Sequence, residues 1–153
     1  MIATASSQSL VRTFGRAWVA MAVVIALHVT DEAVTDFLGL YNPLVRSIRA
    51  RLPFLPLPTF TFGVWLAGLA LGVALLLGLS PLAFRGSRWI ARAALPLSVL
   101  MFGNGLGHIA ASFYLGRLAP GVTSAPLLLV ASIWLLREAW RVLRPRAASP
   151  SSS

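Results

Sequence analysis

The sequence predicts an all-α, polytopic membrane protein: a bundle of four transmembrane helices with a short interfacial helix between the first and the second. Composition is the first ground, since 58% of the 153 residues are hydrophobic and 11% charged, with a mean hydropathy of +0.81, far outside soluble-domain usage. Apolar runs long enough to span a bilayer, about 20 residues each, form the second ground. The third is that the arginines stand at the ends of those runs, where topology signals and headgroup anchors belong.

The net charge of +9 comes from 13 arginines and no lysine, set against Asp31, Glu32, Asp36 and Glu138. Nucleic-acid binding would need those arginines on one solvated surface, so that class is excluded. The absence of cysteine excludes disulfides and thiolate metal sites. Arginine without lysine, with abundant Ala, Gly and Leu, fits a high-GC bacterial genome and a cytoplasmic (inner) membrane. The bilayer is then the principal partner; self-association into a homo-oligomer stays open.

Residues 1–15 read as a polar amino-terminal flank containing Ser6, Ser7, Gln8 and Ser9. Arg12 and Arg16 before an apolar run resemble a secretory signal, but no small-x-small cleavage site follows, so the run is expected to stay as helix one, residues 16–40. Tyr41-Asn42-Pro43 should break it, because proline disfavours helical geometry in its predecessor. Residues 44–52 put Arg46 and Arg49 opposite apolar positions, the pattern of an interfacial helix. Pro53, Pro56 and Pro58 then enforce extended chain, which leaves residues 41–58 as either an anchor or a lid.

Helix two, 59–79, carries no charge, and its Gly68 and Gly72 should admit a close helix neighbour. Ser80-Pro81 ends it, and Arg85, Arg88 and Arg92 mark the loop into helix three, 90–115, which contains Pro96. Ala119-Pro120-Gly121 turns the chain into helix four, 122–143, where Glu138 should form a solvated terminal ion pair with its arginine neighbours. The four helices make one domain, 16–143, followed by a disordered tail, 144–153. Nine arginines fall on the side of the two termini and four on the other, which predicts cytoplasmic termini.

Two polar stripes interrupt this apolar pattern. At about 100° per residue, His28, Asp31, Glu32, Thr35 and Asp36 share a face roughly 140° wide on helix one. On helix three Asn104, His108 and Ser112 follow one another at single helical turns, beside a small-residue face of Gly103, Gly107 and Ala111 that should accept a neighbouring helix. Helices one and three run in the same direction, and at about 1.5 Å per residue the two stripes lie at the same depth in the outer half of the bilayer. Thr123 and Ser124 fall close to that level.

Each carboxylate near the centre of a membrane helix costs about 2.5 to 3.5 kcal/mol, so this face must turn inward, paired or protonated. The arginines near it sit in the outer loops. A divalent cation, zinc among the candidates, would satisfy the same charges at close range. His28, Glu32 and His108 are the expected ligands. Asp31 or Asp36 is the fourth ligand or general base, and Asn104 and Ser112 would orient water or substrate. Metal-assisted hydrolysis of a lipid or lipid-linked group would suit such a site. A proton- or cation-coupled transporter using an Asp/Glu/His relay, or a structural polar network without turnover, would suit the same residues.

At these residues the chain resembles the HXXEE family of small bacterial membrane proteins. His28-Val29-Thr30-Asp31-Glu32 matches the family's first-helix motif with Asp31 in place of the first glutamate, and Asn104 and His108 meet its N-x-x-x-H motif. Leu118-Ala119-Pro120-Gly121-Val122-Thr123-Ser124 meets its Y-x-P-G-x-x-T motif in part, keeping Pro120 and Gly121. The resemblance implies a membrane fold and a shared site; it implies no reaction.

Overall fold

The computed structural model describes residues 5–144, all helical or in connections between helices. The expected disordered tail lies outside the described residues beyond Arg144. Six helices follow in order: α1 (Ala5–Val34), α2 (Phe37–Arg51), α3 (Phe62–Gly78), α4 (Ser80–Phe84), α5 (Arg88–Leu115) and α6 (Ala125–Leu143). Among the described residues, three stretches are long and apolar enough to cross a membrane: Gln8–Val34, Phe62–Phe84 and Arg88–Leu115. The 19 residues of α6 carry Arg137, Glu138 and Arg141 towards their end.

The first helix begins inside the flank that was expected to be polar and ends before the proline that was expected to break it. Phe14, Ala17, Trp18 and Met21 form one apolar stripe along it, all buried in the core. Its end is early because Asp36 turns into the left-handed region at φ 57° and caps α2 through its own side chain. Asparagine and aspartate tolerate that conformation because a short polar side chain can bond locally. Pro43 then lies within α2 instead of ending a helix. The helix around it is fastened from outside: Asn42 bonds the backbone of Phe60 twice, at 2.9 and 3.1 Å, and the Tyr41 hydroxyl donates to Pro58 O.

Packing is densest where side chains are smallest. Ala91 and Ala94 of α5 meet Ala131, Leu135 and Ala139 of α6 in the core, and α6 packs along both α1 and α5. A Cβ on Gly105 would stand 3.2 Å from Ala125 O. Gly105, rather than the expected Gly103 and Gly107, therefore faces the neighbouring helix. Gly68 and Gly72 also face open space, so the four-residue glycine spacing of α3 makes no helix contact within this chain. α3 packs chiefly on α1, where the Trp18 indole donates to Leu76 O at 2.7 Å.

Candidate metal centre

The arrangement of α1, α5 and the start of α6 brings the two polar stripes face to face. His28 and His108 meet edge to face, ring centroids 4.7 Å apart. Glu32 lies between them, with Oε1 at 3.1 Å from His108 Nε2 and 3.6 Å from His28 Nε2. One ligand atom from each of these three residues lies within 4.8 Å of the other two. All three are buried, at 2%, 5% and 7% exposure for His28, Glu32 and His108, so bulk water does not answer their charges.

The far side of each imidazole favours Nδ1 as the protonated nitrogen. His28 Nδ1 lies 2.8 Å from Ser124 Oγ. The Ser124 hydroxyl donates to Asp31 Oδ2 at 2.7 Å, and the Ser124 backbone N–H donates to the same oxygen at 2.8 Å. A hydroxyl has one proton to give, so Oγ accepts from His28 and Nδ1 is the protonated nitrogen. His108 Nδ1 faces the carbonyl of Pro120, which can only accept. With Nδ1 engaged behind, both rings turn Nε2 inward, towards Glu32 Oε1, and in the neutral tautomer that nitrogen is a lone pair.

Three such acceptors converging on one point repel unless a proton or a cation stands among them. A cation satisfies the set, and its two histidines already have the outer support that metal-ligating imidazoles take from carbonyls and carboxylates. The donor chemistry, two imidazole nitrogens and one carboxylate oxygen, suits a divalent ion without selecting a particular one. A fourth group is close: the Asn104 amide is 3.3 Å from His28 Nε2. Its oxygen and nitrogen exchange places on a half-turn of the side chain.

The connection between α5 and α6 builds much of this. Gly121 sits at φ 79°, and a Cβ there would fall 2.8 Å from His108 and 2.9 Å from Glu32. Only glycine fits both the backbone conformation and the space. The Gly121 N–H donates to Thr35 Oγ1 at 3.2 Å, which ties the loop to the end of α1. On the other flank the ring of Phe37 stands 5.8 Å from His108 and stacks with Tyr41 and Trp65, an aromatic cover over the centre.

Not every residue expected in the site arrives there. Asp36 is exposed and accepts from the Gly39 N–H, because the left-handed turn rotates it off the face it would share in a continuous helix. It stands outside the cluster of His28, Glu32 and His108. Asp31 stands two hydrogen bonds behind His28, through Ser124, outside the converging triad. Ser112 accepts from the Ala119 N–H and donates to His108 O, so it braces the loop. Glu138 pairs with Arg141 as expected but is 3% exposed rather than solvated.

Ser124, the Pro120 carbonyl and Phe37 are the contributors that the stripes alone do not reveal. For Ser124 and Pro120 the signal is the loop motif, where Pro120 supplies the carbonyl, Gly121 the clearance and Ser124 the hydroxyl; Phe37 has no such signal. Of the two positions that depart from the motif, Leu118 is exposed and away from these bonds, whereas Ser124, serine for threonine, keeps the hydroxyl that makes them.

No curated protein and no solved structure matches the chain. A family model described as a protein of unknown function with HXXEE motif matches residues 18–135, a stretch that contains every residue of the triad and the loop that supports it. The chain belongs to the HXXEE family.

Proposed function

We propose that this protein holds a divalent cation between His28, Glu32 and His108, inside a bundle of four spans with both termini cytoplasmic. The carrying observation is the convergence of two Nε2 lone pairs and Glu32 Oε1, each ring fixed from behind at Nδ1. Family membership and the long apolar helices support a multi-pass protein of a bacterial inner membrane. The fourth span is α6, about 28 Å long at 1.5 Å per residue, with its charges gathered at the end that also holds Arg88 and Arg92.

A divalent ion in this setting supplies Lewis acidity for hydrolysis, and a lipid or lipid-linked molecule is the substrate within reach of an intramembrane centre. The chain's own groups have separable tasks. His28, Glu32 and His108 bind; Asn104 orients water or substrate beside His28; Phe37 and Trp65 exclude bulk solvent. Asp31, held at Oδ2 by Ser124, keeps the His28 tautomer and is the remaining carboxylate for a general base.

A second reading rests on the same bonds: His28, Ser124 and Asp31 form a continuous hydrogen-bonded chain, which can pass a proton. Elemental analysis of the purified full chain, after incubation with zinc or manganese and desalting, separates the two. About one ion per chain, absent from His28→Ala and His108→Ala, supports the metal centre. No retained ion, together with proton flux in liposomes that Asp31→Asn abolishes, would establish the relay in its place.

A further inference from the structure

The end of the bundle remote from the triad holds a second constellation, cationic and apolar. A cavity of about 390 Å³ opens between α1, the α4–α5 turn and α6, walled by Leu10, Val11 and Val142 and rimmed by Arg88, Arg141 and Arg144. Beside it, a groove of about 650 Å³ runs along α6 between Ile133, Leu136, Arg137, Trp140, Arg141 and Arg144. Arg141 and Arg144 belong to both. On a helix, positions 133, 136, 137, 140 and 144 form one stripe, so the groove is apolar at Ile133, Leu136 and Trp140, carries Arg137 along one edge and ends cationic at Arg141 and Arg144. Ile133 and Trp140 are exposed, facing the membrane in a bundle of this kind.

We infer that this end of the molecule is a binding site for an anionic phospholipid, its phosphate between Arg88, Arg141 and Arg144 and an acyl chain along Ile133, Leu136 and Trp140. Charge complementarity selects the headgroup. Four arginines line the two spaces, and Glu138 neutralises one of them, at 3.1 and 3.2 Å from Arg141 Nη1. The remainder is a surplus of positive charge, and guanidinium forks match phosphate oxygens in geometry as well as sign. Two of the arginines are held in place: Glu138 anchors Arg141, and Arg88 donates to Leu143 O at 3.4 Å across the cavity mouth. Basic pockets between membrane helices are where phosphate headgroups bind, and the apolar groove continues from this one in the direction an acyl chain takes.

The test is a comparison of lipid retention by the full chain in detergent, read by native mass spectrometry with dioleoylphosphatidylglycerol against dioleoylphosphatidylcholine. Phosphatidylglycerol is expected to bind at least tenfold better. Arg88→Gln with Arg144→Gln, which leaves the Arg141–Glu138 pair intact, should remove the preference, at about fivefold for each arginine. Arg46→Gln with Arg49→Gln, on α2 and outside the site, should leave it unchanged, and a circular-dichroism melt of each variant separates loss of binding from loss of fold. Equal retention of the two lipids overturns the proposal. So does an equal loss in the α2 variant, which would mark diffuse surface charge, or displacement by millimolar inorganic phosphate, which would mark a site for the free anion.

Discussion

Two glutamates are buried in this molecule, and they are answered in opposite ways. Glu138 is met by Arg141, a guanidinium that keeps its charge at any accessible pH, with the arginine half-exposed at the end of α6. Glu32 is met by two imidazoles whose remaining protons are committed elsewhere. The first pairing is complete and permanent; the second is complete only when a cation or a proton arrives. The comparison shows what distinguishes a structural acid from a binding acid in an apolar bundle: whether its compensation is built into the chain or left exchangeable.

The largest effect should fall on the exchangeable side. Glu32→Gln removes the charge but keeps the shape, and bound metal should drop to background by elemental analysis, whereas Glu138→Gln should retain about one ion per chain. Equal metal content in the two variants breaks the distinction. Gly121→Ala comes next. Its new Cβ meets both His108 and Glu32, in a backbone conformation that disfavours any side chain. Metal affinity should fall roughly 100-fold or more, the upper end of losses when a ligand's support is disturbed.

On the permanent side, Arg141→Ala strands a buried carboxylate, and thermal unfolding in detergent should show a loss of about 1 to 3 kcal/mol, with metal content unchanged. Ser124→Ala unlocks the His28 tautomer without touching a ligand atom and should weaken metal binding about 10- to 100-fold. The smallest effect is expected from Asp36→Asn. Asparagine caps helices as well as aspartate does and tolerates the left-handed turn, so stability should move by less than about 0.5 kcal/mol. A clear fall in metal content there would return Asp36 to the site.

The legible parts were those that periodicity controls. Helical spacing alone assembled His28 with Glu32 and Asn104 with His108, and depth along parallel helices brought the pairs together, as the ring contact shows. The illegible parts turned on single backbone torsions and on packing. Nothing in a helical wheel announces that Asp36 will leave the helix at φ 57°, which removes one expected site residue and moves the helix break ahead of Pro43. Glycine spacing pointed to close contacts at Gly68, Gly72, Gly103 and Gly107, but a helix presents several small-residue faces, and core packing chose the one bearing Gly105.

The loop that fixes both imidazoles also sets a schedule for the chain's synthesis. Asp31 and its partner Ser124 are 93 residues apart. At about 5 to 20 residues per second, the first helix waits roughly 5 to 20 seconds before the groups that answer its acids have been made. Through that interval Asp31 and Glu32 have neither imidazole nor hydroxyl from the later helices, and each ionised carboxylate at membrane depth carries about 2.5 to 3.5 kcal/mol. The nascent helix must therefore enter the bilayer protonated or be sheltered by the insertion machinery until α6 emerges. The centre is completed late, though its opening residues are among the first to be made.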